Sequence, residues 1–189
     1  QNHSDTPIPL TKCGVSLGLG KYKKVKANSA DAFLINDTIL FPQKNIVPPN
    51  GKIQLDWSFQ LDKNCPISDK RGSFYIIFGE QDKRLECGKM KVQINLQSIF
   101  EQYLTTFENL FRFKVKEKKA KKESVEIKLI PPSSREYASL DSVNCNLKFD
   151  QEIFQIKYTF KVKKIDYQDV NMKMKSSTVE RKYSLSPKE

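Results

Sequence analysis

Few residues in this chain are of a kind to do covalent chemistry. His3 is the sole histidine among 189 residues. It lies in a polar, proline-containing stretch at the start, so neither a Ser-His-Asp nor a Cys-His arrangement has a base to draw on. Cys13, Cys65, Cys87 and Cys145 are far apart and lack the C-x-x-C spacing of a zinc or redox centre. Asp62 with Asp69, and Asp166 with Asp169, could serve glycosidic cleavage or calcium, but a chain with 22 acidic residues offers such pairs by composition alone. Gly14-Val15-Ser16-Leu17-Gly18-Leu19-Gly20-Lys21 fails as a phosphate loop. Five residues separate its outer glycines instead of four, and Tyr22 stands where Ser or Thr is needed. A glycine-rich turn or bulge is expected there. Arg71 to Phe78 touches the RNA-recognition octapeptide, yet Ser73 and Phe74 break its base-stacking positions. The expectation is a protein that is not an enzyme, with no catalytic residue, no metal site and no cofactor.

Charge is the stronger signal. The formal net charge is +11, with +5 accumulated up to Asn95 and +6 after it, so the excess is spread over the chain. Such a surface favours anionic partners. The candidate contacts are Arg112, Lys114 and Lys116, the row Lys157, Lys161 and Lys163, and Lys118, Lys119, Lys121 and Lys122 of the run KEKKAKK, read as a solvated hairpin tip. Were their strands adjacent, these rows would merge into one basic sheet face. The partner expected is a protein receptor or other extracellular protein, with a glycosaminoglycan or acidic lipid surface as further anions; nucleic acid is not favoured.

The compartment follows from the cysteines and the N-terminus. An even number of distant cysteines suits two long-range disulfides of open connectivity. A start at Gln1 looks like the product of signal-peptide removal, and Asn2 and Asn36 begin N-x-S/T sequons. These features suggest a secreted glycoprotein. No run of 18 apolar residues is present to span a bilayer.

The elements that must position these residues are mostly strands. The exception is 96–111, LQSIFEQYLTTFENLF, whose Leu96, Ile99, Phe100, Tyr103, Leu104, Phe107, Leu110 and Phe111 recur at helical spacing, with Ser98 and Glu101 spaced as a capping box. Before it, 22–26 and 33–41 are β-prone. Ile53, Leu55, Trp57, Phe59 and Leu61 alternate with polar residues as the clearest strand, with Trp57 as a core anchor. Phe74 to Phe78 suits a strand covered on both faces, and Met90, Val92 and Ile94 alternate in turn. After the helix come strands at 111–116, 125–129 and 154–162, a polar loop at 133–144, and a final hairpin joining Val170, Met172 and Met174 to 179–185. Residues 53–63 and 154–164 match in character position by position, but unequal offsets elsewhere argue against duplication.

The fold expected is mainly β: an antiparallel, immunoglobulin-like or related β-sandwich with one amphipathic helix at about 96–111, braced by disulfides. Residues 1–12 would be a flexible lead-in and 13–186 a single β-rich domain, or two small sandwich domains meeting near residue 95. The function expected is non-enzymatic recognition of a protein partner through a basic sheet face. Asn64-Cys65-Pro66-Ile67 followed by Leu85-Glu86-Cys87-Gly88 resembles part of the secreted lipid-recognition family related to the Niemann-Pick type C2 protein, over about 25 residues. Only Cys65, Pro66, Ile67 and Cys87 carry over and the family's six-cysteine pattern is absent, so membership is not assigned. The resemblance implies Cys13 as partner of Cys87 and a lipid held between two sheets. Lipid carriage is therefore the alternative function.

Overall fold

The computed structural model describes residues 1–42, 45–62, 64–166 and 173–186, except for the side chains of 164–166 and 173–175. The Asp166 and Asp169 carboxylates, Val170 and Met172 of the expected final hairpin, and the tail after Ser186 lie outside the described residues. Two compact units make up the chain. One comprises 1–62 and 70–94, the other 63–69 and 95–189.

The first unit is built on a four-stranded antiparallel sheet. Its members are β2 (Cys13–Lys21), β3 (Phe33–Leu40), β5 (Gly72–Glu80) and β6 (Gly88–Val92), in the order β3-β2-β5-β6. A two-stranded ribbon joins β1 (Ile8–Pro9) to β4 (Ile46–Val47). The glycine-rich stretch is therefore a central strand, not a turn. Its glycines reduce β-propensity but permit close approach: a Cβ on Gly14 would run into the Ile39 carbonyl, and one on Gly20 would lie 2.7 Å from the Tyr75 ring. Val15, Leu17, Phe74 and Ile77 are buried between the strands' neighbours. Ser16 is buried with them and is satisfied by Thr38 at 2.8 Å and Gln81 at 2.5 Å. Tyr22–Lys26, read from sequence as β-prone, is a short helix, α1. The first twelve residues are tied down by β1 and by Asn2, which is 1% exposed.

The clearest strand of the sequence joins no sheet. Residues 52–61 have no strand assignment and make no backbone hydrogen bond among the described residues, although Ile53, Leu55 and Phe59 alternate as half-buried. Trp57 is 40% exposed and touches only the Phe59 ring among aromatic groups, so it is not a core anchor.

The second unit has a five-stranded antiparallel sheet in the order β11-β10-β9-β8-β7, formed by β7 (Lys114–Ala120), β8 (Val125–Ile130), β9 (Leu140–Asp150), β10 (Ile153–Asp166) and β11 (Lys173–Leu185). β9 replaces much of the polar loop expected at 133–144. Its Asp, Ser and Asn residues are poor strand formers, yet Val143, Cys145 and Leu147 alternate inward and are fully buried. Residues 179–185 pair with β10, Phe154 opposite Leu185, and Lys173 and Met174 belong to the same strand, β11.

Helix α2 (Ser98–Leu110) covers the inner face of this sheet, with Phe100 and Leu104 packed into the cluster of Ile127, Leu129, Leu147, Phe154 and Ile156. The helix is one turn shorter than its pattern. Gln97 occupies the N-cap and Ser98 already lies in the first turn, so the S-x-x-E spacing forms no capping box. Leu110 is 72% exposed at the other end. The apolar face of the sheet is thus closed by a helix in this unit, and the architecture is mainly β and antiparallel, with two α-helices among the described residues.

The expected disulfide bracing is overturned: no disulfide joins Cys13, Cys65, Cys87 or Cys145. Geometry supplies the reason. Cys13 pairs with Glu80 across one edge of β5, while Cys87 donates its thiol to the Glu80 carbonyl at 3.2 Å from the β6 side. Strand β5 thus lies between the Cys13 backbone and the Cys87 backbone, and the Cys87 thiol is engaged with the Glu80 carbonyl. Cys145 is enclosed in the core under α2.

Candidate protein-binding face

Strand register decides which lysines share a surface. On the inner side, Ile127 sits opposite Cys145, Cys145 opposite Tyr158, and Tyr158 opposite Arg181. The outer side therefore carries the alternate positions. Lys157 stands between Asn146 and Lys182, Lys161 between Ser142 and Thr178, and Lys163 opposite Ser176. Toward the other edge, Lys128 lies between Asn144 and Glu117, and Lys114 opposite Ile130. Lys114, Lys157, Lys161 and Lys163 are thus brought onto one face, joined by Lys128, Lys148 and Lys182. Sequence reasoning missed the last three. The signal was the alternation within 125–130, 143–149 and 179–185, which assigns faces only after the partner strand is known.

The remaining candidates are dispersed by a β-bulge. Pairing shifts between Val115 and Glu117, leaving Lys116 as the extra residue. Beyond it the phase inverts: Glu117 and Lys119 point outward, and Lys118 lies opposite Ile127 on the inner side at the sheet edge. The run KEKKAKK is therefore mostly strand. β7 continues to Ala120, whose N–H donates to Asp69 Oδ2 at 3.0 Å, and the tip is the turn closed by Lys121 N–H to Ser124 O at 2.9 Å. Lys121 and Lys122 are exposed beside that turn. Arg112 sits between α2 and β7 with φ of 58°, exposed and off the strand row.

The face is basic but not uniformly so. Lys119 bridges Glu117 at 2.8 Å, and Lys121 reaches Glu126 at 3.2 Å. Lys157 pairs with Glu180 at 2.8 Å, and Lys163 with Asp141 at 3.5 Å. Lys148, held by Glu123 and Asp150, titrates above the ordinary lysine value because both carboxylates favour its charged form. Lys161 and Lys182 make no ion pair among the described residues, and Lys182 faces Lys157 directly across the strands. Like charges placed opposite one another are destabilising by about 0.2–1 kcal/mol. Glu180, two residues along β11, offsets that repulsion at the Lys157 end only.

Beneath the sheet lies a buried polar group that binds nothing outside the core. Tyr103 of α2 donates to the Tyr158 hydroxyl at 2.7 Å and approaches Cys145 Sγ at 3.8 Å. Burial pushes the Cys145 thiol up to about 11, against a partial lowering by Tyr103. Tyr103 is raised by burial, by Cys145 and by Tyr158. A thiol held protonated this way is inert as a nucleophile. Its place in the core explains its alternation better than any chemistry does.

The glycosylation candidates separate cleanly. Asn2 directs its amide nitrogen to the carbonyls of Thr6 at 2.7 Å, Pro48 at 3.1 Å and Val47 at 3.3 Å, while its oxygen accepts from Ser4. A glycan on that nitrogen would require the whole cluster to open. Asn36 is exposed at the bulge where β3 slips against Leu17 and Gly18. No helix among the described residues is long and apolar enough to cross a membrane, and no group of three or more His, Cys, Asp or Glu among them is placed to hold a metal ion.

No protein-family description matches the chain, and no curated protein matches it. Among solved structures it is similar to Spo0M, a sporulation control protein from Bacillus subtilis. The likeness has a TM-score of 0.57 at 14% identity and covers 96% of this chain and 79% of that one. At that identity the likeness concerns the fold alone.

Proposed function

We propose that this protein is a non-enzymatic recognition module whose second unit docks an acidic protein partner on the outer face of its five-stranded sheet. The observation that carries the reading is the cross-strand pair Lys157 and Lys182, flanked by Lys161, on a face where the register also sets Lys128 and Lys114. Like charges held opposite one another serve no purpose in stability, and they create a site that an acidic surface would relieve. The resemblance in fold to a sporulation control protein is compatible with a regulatory role exerted by binding.

Polyglutamate peptide and heparin serve as probes. Reversal of two lysines, Lys161→Glu with Lys182→Glu, should weaken capture of both by about tenfold at low salt, with the difference shrinking as salt screens the face. Control reversals at Lys23 and Lys26 of α1 keep the same net charge but leave the face intact, and should cost much less. Equal losses from the two double variants would reduce the effect to net charge and defeat the proposal.

A further inference from the structure

The two larger sheets end in four outer strands, and three of these are short or interrupted. Strand β7 carries the bulge at Lys116, β3 slips at Asn36, and β6 is five residues long. Strand β11 differs from all of them. It runs 13 residues, pairs with β10 in one unbroken register, and has no strand on its other side among the described residues. A long, regular edge is a template for strand addition. The β9-to-β10 hairpin shows which backbone groups face the open side. Gln151 and Glu152, with φ of 47° and 63°, make a two-residue turn whose closing residues, Asp150 and Ile153, form a hydrogen-bonded pair. Ile153 therefore points its N–H and C=O at β9, Phe154 points its own at β11, and the alternation continues along β10. Leu185, Tyr183, Arg181 and Val179, opposite Phe154, Ile156, Tyr158 and Phe160, take up those bonds. Thr178, Glu180, Lys182 and Ser184 thus turn their N–H and C=O outward. The Glu180 carbonyl already accepts from Arg181 Nη1 at 3.0 Å, so the open row rests on Thr178, Lys182 and Ser184.

The side chains along this edge define what it accepts. Val179, Tyr183 and Leu185 line its inner side and stay 39%, 52% and 43% exposed, although Phe154 and Ile156, beside them on β10, are buried. Tyr183 meets the Tyr158 ring edge-on at 5.7 Å and so extends the aromatic row of the core to the sheet's rim. The outer side carries Lys182 opposite Lys157, with Lys161 further along β10. We propose that β11 receives an extended acidic segment of the partner protein as a sixth strand, its apolar side chains beside Val179, Tyr183 and Leu185 and its carboxylates beside Lys182. The inference rests on the acidic partner proposed above for the outer face, and adds the backbone by which that partner is held. Ladder hydrogen bonds supply the affinity in this mode, and the alternating side chains supply the selection. Charge favours this occupant over a second copy of the chain. A two-fold axis through Glu180, Arg181 or Lys182 would set like charges opposite one another.

Two labelled peptides of about nine residues, a usual strand length, test this by fluorescence anisotropy with the full chain: polyglutamate and an alternating Glu-Val sequence. The alternating peptide carries less charge but offers the apolar side that the edge calls for, and should bind at least about threefold more tightly. N-methylation of two successive central residues blocks both edges of that peptide and should weaken it by about tenfold or more. Thr178→Pro removes an outward donor and no bond to β10, so it should weaken the alternating peptide by about fivefold and leave circular dichroism unchanged. Amide exchange followed by NMR should slow at Thr178, Lys182 and Ser184 when the peptide binds. If polyglutamate binds and the alternating peptide gains nothing, or if N-methylation costs nothing, strand addition is overturned and the acidic-face reading stands. If neither peptide binds, both fall together. Protection of the same amides that grows with protein concentration in the absence of peptide would make the occupant a second copy and overturn the one proposed.

Discussion

Two stretches of this chain, residues 53–61 and 154–162, have nearly the same sequence character and opposite fates. Both alternate apolar and polar residues without a break. The second is the body of β10, flanked by β9 and β11 and roofed by α2, with Phe154 and Ile156 buried. The first has no neighbour strand at all and leaves Trp57 in solvent. Alternation therefore fixes which side chains share a face and says nothing about which strand lies alongside. The partners come from what the chain offers nearby: β10 follows β9 through the two-residue turn at Gln151 and Glu152, both at positive φ. Residues 53–61 are preceded by Pro48, Pro49 and Gly51 and followed by Pro66, and have no such hairpin.

The largest contrast should come from proline. Thr159 sits between Asn144 and Glu180 in the interior of the sheet, so Thr159→Pro removes a ladder donor and collides with its neighbours, costing about 3 kcal/mol or more. Loss of the second unit's cooperative urea transition is expected. Ser58→Pro breaks no bond within the chain and should shift the first unit's midpoint by less than about 0.5 kcal/mol. A large loss from Ser58→Pro would mean that 52–61 is held by the fold more tightly than its missing ladder implies.

Side-chain truncation should separate the two stretches next. Phe154 is 7% exposed and meets the rings of Phe100 and Tyr103, each at 5.4 Å. Phe154→Ala should cost about 3–5 kcal/mol. Phe59 keeps part of its surface in solvent and meets only the Trp57 ring, at 5.6 Å, so Phe59→Ala should cost less than half as much by the same urea measurement.

These differences mark where sequence reading succeeds. The helix at 98–110, the strands β6, β8 and β10, and the outward row Lys157, Lys161 and Lys163 follow from periodicity, because each has a repeat that one kind of backbone satisfies, while β3 and β5 follow from strand-prone and continuously apolar composition. β2 was hidden by glycines whose purpose is close packing against Ile39 and Tyr75, a tertiary demand with no local signature. β9 was hidden by Asp, Ser and Asn residues that disfavour a strand, although Ser142 is fully buried and Asn144 and Asn146 are half-buried. The bulge at Lys116 reversed the faces of Lys118 and Lys119, and a one-residue slip leaves no mark on composition. Lys114, Lys157, Lys161 and Lys163 of the lysine face were therefore legible. The remaining three, Lys128, Lys148 and Lys182, required the register.

The core under β10 also makes the second unit sensitive to alkali in a way the stretch at 53–61 is not. Cys145 titrates near 11 when folded against an ordinary 9.0. The unfolded chain therefore loses this proton first, and the folded state binds more protons between the two values. Stability should fall as pH rises from about 9 to about 11, by up to roughly 3 kcal/mol for this group, with buried Tyr103 adding in the same direction above its ordinary value. Urea titrations at pH 8 and pH 10.5 check this, and Cys145→Ala should flatten the dependence. An unchanged slope in that variant would assign the effect to the other groups that burial raises, Tyr103 and Tyr158 in this unit.

The smallest effect separates the polar sides of the two stretches. Lys157 and Glu180 form a pair at 2.8 Å with side chains 41% and 53% exposed, and at that exposure the pair contributes at most about 0.5 kcal/mol. Glu180→Gln should thus be nearly silent in urea. It also leaves Lys157 and Lys182 facing each other with no acid to temper them, so binding of polyglutamate at low salt should strengthen by about two- to threefold. Asp56→Asn removes one negative charge from the corresponding face of 53–61 and changes net charge by the same amount. If the outer face of the β10 sheet is the contact, only Glu180→Gln should strengthen binding appreciably. Equal gains from the two variants would show that the polyanion senses total charge, and the lysines aligned by the register would lose their claim to be a site.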